Sequence, residues 1–190
     1  MVNEAADARI RLIQPTVRLH QAFLDCAFEF GSGHRDGFAT DSISDVELAD
    51  PESFAAWVAT RVSYADEAIE LPPDRVHDTL SWIIDGREPE RILGSISLRH
   101  RLNDFLLQVG GHIGYGVRPT SRRQGVATAA LGLALDQARS LGLQRVLVTC
   151  AKDNVPSACT IEHWGGDLED VRETPDHGMV RRYWIDLIQR

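Results

Sequence analysis

This sequence predicts a mixed α/β domain, on three observations. Strand-like runs follow one another directly from Thr79 to Asp85 and from Ile92 to Arg99; other such runs alternate with amphipathic helical segments; and one run, Arg145 to Cys150, is almost wholly apolar. Consecutive strands imply antiparallel hairpins, and a continuous apolar run is the pattern of a strand covered on both faces. A chain of 190 residues fits one domain, long enough to bury roughly two-thirds of its unfolded surface.

Taken in order, Ile10 to Ile13 predicts a short strand, and Val17 to Phe30 a helix, with Leu19, Phe23, Cys26, Ala27 and Phe30 at helical spacing. The Gly-, Ser- and Asp-rich stretch 31–45 predicts a long loop. Pro51 to Ala65 predicts a second helix with Phe54, Trp57, Val58 and Val62 on one face. The polar turn DGREPE joins the next two strands into a hairpin, and the mixed segment LNDFLLQVGG leads to a strand over His112 to Val117. Val126 to Leu141 carries the clearest apolar stripe, Ala127, Ala130, Leu131, Ala134, Leu135 and Ala138, with Gly142 placed to end the helix. After the apolar strand, Asn154 caps a helix from Val155 to Trp164, closed by Gly165 and Gly166. Leu168 to Arg172, a turn ETPDHG, and Met179 to Leu187 complete the chain.

The bulk properties exclude several functions. A net charge of −8 argues against a nucleic-acid binder, because phosphate-backbone binding is driven by clustered Lys and Arg. Cys26, Cys150 and Cys159 form no CxxC pair and have no His at zinc-ligand spacing, so no metal site or disulfide framework is suggested and a cytoplasmic setting is expected. The polar N-terminal run MVNEAADAR and the lack of about 18 successive apolar residues argue against a secretory signal and a membrane span.

The segment RPTSRRQGVAT joins a strand to a helix and sets Arg118, Arg122 and Arg123 just before the helix start. A helix N-terminus carries unpaired N–H groups and about half a positive charge, so such a turn is an anion site. Gly125 and Ala127 are small enough to let a phosphate approach the backbone. Neither GxxxxGK[ST] nor GxGxxG occurs in the chain, which removes the usual nucleoside-triphosphate and dinucleotide fingerprints.

The stretch from Gly114 to Gly166 resembles the core of the GNAT superfamily of acyl-CoA-dependent N-acetyltransferases, whose loop reads Gln/Arg-x-x-Gly-x-Gly/Ala; Arg122, Gly125 and Ala127 match it in register. Asn154 and Ser157 match the Asn-opened helix that flanks the coenzyme's pantetheine arm. The runs SLRHRLNDFLLQVGGHIGYGVRP and VRRYWIDL are similar to a bacterial subfamily of that superfamily, so the likeness covers about residues 78–190. It implies one domain over the whole chain with a mixed, mostly antiparallel twisted sheet, splayed fourth and fifth strands and helices on both faces. It also implies acetyl-CoA as cosubstrate, with backbone contacts to pantetheine from Tyr115, Gly116 and Val117. Diphosphate contacts would come from Arg122, Arg123, Gln124, Gly125, Val126, Ala127 and Thr128.

The implied reaction is direct attack of an amine on the thioester, the amine being that of a small molecule or alternatively a protein N-terminus or Lys. A non-catalytic acyl-CoA-binding module is the rival from another class. An alkyl ammonium with pKa near 10 must lose a proton first. His112, His100 and Glu162 are candidates for the base, with Asp104 a possible substrate contact. The superfamily often uses a Tyr about seven residues after the helix-opening Asn as the acid for the departing thiolate; here Ile161 stands there, leaving Tyr183 or Tyr115. Tyr183 is equally readable as a core residue beside Ile185 and Leu187. Cys159 is expected to be a buried structural thiol. The acceptor side would be built from about residues 14–75. Monomer and homodimer both remain open.

Overall fold

The computed structural model describes residues 9–31 and 33–188, so most of the N-terminal polar run lies outside the described residues. Among these residues seven strands form one sheet in the order β1-β2-β3-β4-β5-β7-β6: β1 Ile10–Ile13, β2 Asp78–Asp85, β3 Glu88–Arg99, β4 Ile113–Val117, β5 Arg145–Ala151, β6 Asp167–Thr174 and β7 Gly178–Asp186. Every pairing is antiparallel except β4 with β5. Five α-helices cover the sheet: α1 His20–Phe28, α2 Asp45–Ala49, α3 Pro51–Ser63, α4 Val126–Ser140 and α5 Val155–His163.

The sheet separates two cores. On one face Phe23, Phe38, Phe54, Trp57 and Trp82 form an aromatic cluster under α1 to α3. On the other, Ala130, Leu131, Ala134 and Leu135 of α4 and Ile161 of α5 pack on Ile96, Ile113, Val148, Tyr183 and Ile185. Alternation along β3 sends Ile96 and Leu98 to the α4 face while Ser95 and Ser97 face the other way, and Leu93 joins the α4-side core where the β2–β3 register shifts by a residue.

Several elements differ in detail from the sequence reading. The helix read from Val17 begins as a 3₁₀ turn, Val17–Leu19, and ends at Phe28. Of the stretch 31–45, residues 33–44 are irregular, and α2 starts at Asp45 behind a capping box between Ser44 and Glu47. Asp50 then caps α3, with Pro51 at the first helical position. The β2–β3 turn is shorter than DGREPE, since β3 already begins at Glu88. The mixed segment before β4 contains a π-helical turn, Leu106–Gly110. Gly142, at φ +79°, follows α4 in the left-handed conformation that glycine adopts without strain.

Candidate functional site

The site is organised by a fork between β4 and β5. These strands share a single register pair, Ile113 with Val148, and diverge beyond it. On its other edge β4 is fully laddered to β3 from Ile113 to Val117. Residues Gly114 to Val117 therefore present one backbone edge with no strand partner. That edge contains Tyr115, Gly116 and Val117, the positions assigned to pantetheine.

His112 closes the narrow end of the fork. Its backbone N–H donates to Leu147 O at 2.7 Å, and its ring Nδ1 accepts the Leu147 N–H at 2.9 Å. The imidazole thus replaces a carbonyl in the ladder. Accepting at Nδ1 places the ring proton on Nε2, so the neutral ring has no free lone pair. Burial, with help from Arg99 and Arg145, lowers its pKa from 6.5 to about 4. These contacts correct the expectation of a general base at His112: the residue is a structural bridge.

At the open end of the fork a 3₁₀ turn, Pro119–Ser121, leads into α4. Gly125 sits at the N-cap with φ +77°, no side chain caps the helix, and no acidic residue lies in its first turn. A Cβ on Gly125 would meet nothing within 4 Å. The first N–H groups of α4, from Val126, Ala127 and Thr128, have no side-chain cap and the positive end of the helix behind them. Arg123 is held at φ +60°, an uncommon conformation for a side-chain-bearing residue and one found where function constrains the backbone. Arg122 donates from Nε to Val117 O at 3.0 Å and lies over the Phe30 ring. Gln124 ties back to Thr120 O at 3.1 Å.

Arg118 does not join this cluster. Its guanidinium is paired with Glu29, at the end of α1, and donates to Ile92 O at 2.9 Å. Glu29 also accepts from Thr120 N and Oγ1. The Arg118 hydrogen bonds hold its carboxyl down to about 2. Two of the three arginines read from the sequence as one cluster remain at the helix start; the third braces the turn.

The α5 flank brings together residues far apart in sequence. Asn154 caps α5 by accepting Ser157 N–H at 3.2 Å. Ser157 Oγ lies 2.9 Å from Tyr115 Oη, whose pKa burial pushes up to about 12. One turn further along, Tyr183 Oη donates to Glu162 Oε1 at 3.0 Å. Arg181 Nη1 lies 3.5 Å from the same hydroxyl. Burial raises the Tyr183 pKa, Arg181 opposes the rise and Glu162 adds to it. Ile161 is fully buried in the core. Cys159 is exposed rather than buried, because α5 turns Ala158 and Ile161 inward instead.

The remaining candidates lie elsewhere. His100 bonds Thr79 Oγ1 at 2.9 Å and Glu67 Oε1 at 3.3 Å, on the α3 side of the sheet. Asp104 is exposed, and Asn103 rather than Asp104 caps the local turn by accepting Leu106 N–H at 2.9 Å. A residue the sequence did not single out, Arg99, extends across Gly114 toward the narrow end of the fork. Its Nη1 donates to Gly110 O at 3.0 Å.

A forked parallel pair, an unpartnered strand edge and an uncapped helix start are the features an acyl-CoA-dependent acyltransferase requires. A family model described as an acetyltransferase (GNAT) domain matches residues 30–167, and the chain belongs to that family. It is accordingly an N-acetyltransferase, with acetyl-CoA the donor this family uses. A comparison with curated proteins finds no match. Among solved structures, a ribosomal-protein-S5-alanine acetyltransferase from Vibrio fischeri is 15% identical with a TM-score of 0.68, the match covering 93% of this chain and 91% of that one. The microcin C7 self-immunity acetyltransferase, in complex with acetyl-CoA and AMP, is 14% identical with a TM-score of 0.67, over 95% and 94%. An acetyltransferase from Salmonella typhimurium that modifies the N-terminal serine of ribosomal protein L7/L12 is 14% identical with a TM-score of 0.64, over 97% and 98%. At these identities the likeness is one of fold.

Proposed function

We propose that the whole chain acts as a single domain that transfers the acetyl group of acetyl-CoA to the primary amine of a small molecule. The observation that carries this reading is the open edge of β4 leading directly to the uncapped start of α4. The diphosphate lies on the N–H groups of Val126, Ala127 and Thr128, with Gly125 leaving room and Arg122, Arg123 and Gln124 around it. The pantetheine arm adds to β4 as a strand would, pairing with the backbone of Tyr115, Gly116 and Val117, with Asn154 and Ser157 on its other side. A helix start of this kind supports coenzyme binding because no side chain among the described residues caps those donors.

In the reaction the neutral amine adds to the thioester carbonyl, the C–N bond forms and the C–S bond breaks. The amine's proton passes to Glu162. The departing thiolate takes a proton from Tyr183, which recovers one through its hydrogen bond with Glu162, so the net transfer is from amine to thiol. The raised pKa of Tyr183 keeps it protonated at neutral pH, as a proton donor requires. In a thiol-release assay over an amine panel, Tyr183→Phe lowers kcat by roughly a hundredfold or more with acetyl-CoA affinity unchanged. An unaltered kcat removes Tyr183 from the reaction.

A second acceptor, a protein N-terminus, is favoured by the structural relative that modifies the N-terminal serine of ribosomal protein L7/L12. Competition between peptides and small amines in the same assay separates the two. We also propose a cytoplasmic setting and a monomer or homodimer. Three free cysteines support the former, and no helix among the described residues is long and apolar enough to cross a membrane.

A further inference from the structure

On the face of β4 opposite α4 and α5, one guanidinium has no anionic partner. Arg99 ends β3 and lies on the same side as Ser97, whose hydroxyl donates to Asp78 at 2.9 Å. Asp78, the acid whose charge acts on Arg99 most, is already taken by Arg61 of α3, and the charges of Asp41 and Asp36 act on Arg99 without forming an ion pair with it. Arg99 uses Nη1 alone, on Gly110 O at 3.0 Å and Gly111 O at 3.4 Å. Its Nη2 and Nε have no hydrogen-bond partner, and no carboxylate lies within ion-pair distance, among the described residues. A half-buried cation without a counter-ion is costly to keep unless something supplies the charge.

Its position says where that charge must come from. A Cβ on Gly114 would lie 3.2 Å from Arg99 Nη1, so the guanidinium rests directly on this bare stretch of strand. Gly114 is the first residue beyond the closed end of the fork. From Val117 back to Ile113 the strand runs about 13 Å, at about 3.3 Å per residue. A coenzyme arm entering at Arg122 and lying along that edge brings its thioester to Gly114. On the acceptor face, Gly37 crosses the same residue: a Cβ there would come within 2.6 Å of the Tyr115 Cα. The space left for an amine at the thioester is thus bounded by loop backbone on one side and by the Arg99 fork on another.

We propose that Arg99 binds a carboxylate carried by the acyl acceptor, which makes the acceptor an α-amino acid. This rests on the acetyl-transfer reading above and narrows its substrate. An anion reaching Arg99 while the nitrogen reaches the thioester must sit within two or three bonds of that nitrogen, as an α-carboxylate does. Nη2 and Nε form one edge of the guanidinium fork, and a carboxylate can accept from both. A protein N-terminus has a neutral amide at that position and leaves Arg99 unpaired.

The test uses the common L-amino acids and their matching carboxamides as acceptors, with thiol release as readout, for the wild type, Arg99→Met and Arg99→Lys. The wild type prefers carboxylate over carboxamide by about tenfold or more in kcat/KM. Arg99→Met brings the ratio to about one, Arg99→Lys keeps part of it, and acetyl-CoA affinity holds in both, which also reports that they fold. Equal use of both acceptor forms by the wild type overturns the proposal while leaving acetyl transfer intact. If no amine is acetylated, calorimetric binding of the same amino acids to the CoA-loaded protein decides. Binding by the wild type and not by Arg99→Met upholds the carboxylate site although the reaction fails, and no binding by the wild type overturns it.

Discussion

A side chain's availability, rather than its chemical type, decides what it can do at this fork. His112 is the residue type most suited to proton transfer near pH 7, yet it accepts a ladder N–H and is buried. The consequence is a pH-dependent stability. The unfolded imidazole titrates at 6.5 and the folded one at about 4, so between those values the unfolded chain binds the extra proton. Stability is therefore fully present above pH 6.5 and falls as pH drops toward 4, by about 2–3 kcal/mol. His112→Asn keeps an acceptor for Leu147 N–H without a titrating ring. Urea unfolding at pH 7.5 and 5 shows a smaller difference for that variant than for the wild type; an equal difference assigns the effect to other groups. Glu29 acts in a lower window: its carboxyl is held near 2 against an ordinary 4.5, so its contribution is present above 4.5 and lost as pH falls through 2.

Among the elements, α4 and α5 form the wall that the coenzyme arm would meet, and their spacing is set by Gly132 and Trp164. A Cβ on Gly132 would lie inside the Trp164 indole, closer than real contacts allow. The same indole donates from Nε1 to Thr128 O at 2.8 Å, which fixes the first turn of α4. Ala is the better helix former by about 0.5–1 kcal/mol. Overpacking costs about 1–3 kcal/mol and outweighs it. Gly132→Ala should therefore lower stability in thermal unfolding and weaken acetyl-CoA binding together; a stabilised variant would mean that Trp164 moves freely. Sequence periodicity revealed α1, α3, α4 and α5 because each carries several turns of a buried stripe. It missed α2 and the π-helical turn before β4, which are five residues each and too short to show a period.

For the molecule as a whole, seven strands in one sheet with a fork between β4 and β5 agree with the fold the sequence predicted. The anion loop was legible because its chemistry is local: Arg122 to Thr128 are adjacent in the chain. The opposite holds for what the loop leans on. Glu29 lies 89 residues from Arg118, and nothing near either one announces that their pairing removes a cation from the proposed phosphate site. Tyr183 meets Glu162 across 21 residues, and Tyr115 meets Ser157 across 42. Arg99, at the end of an alternating strand, has the pattern of a solvent-facing residue until the fold sets it against Gly114. Sequence thus proposed a place for the coenzyme and left the acceptor side dark, because that side is built from contacts between distant segments.

The central claim, that the start of α4 holds the coenzyme diphosphate, is tested most directly by titrating acetyl-CoA calorimetrically into wild type, Gly125→Ala and Gly125→Glu. Gly125 has φ +77°, so both substitutions share a backbone strain of about 1–2 kcal/mol. Only Glu adds a side-chain charge where phosphate would sit. The account predicts that Gly125→Ala binds within about thirtyfold of wild type, the most that a strain of about 2 kcal/mol costs. Gly125→Glu, folded by circular dichroism, then binds about a hundredfold or more weaker than Gly125→Ala, as expected for like charges brought together in a water-poor site. Equal affinity of the Ala and Glu variants would contradict it.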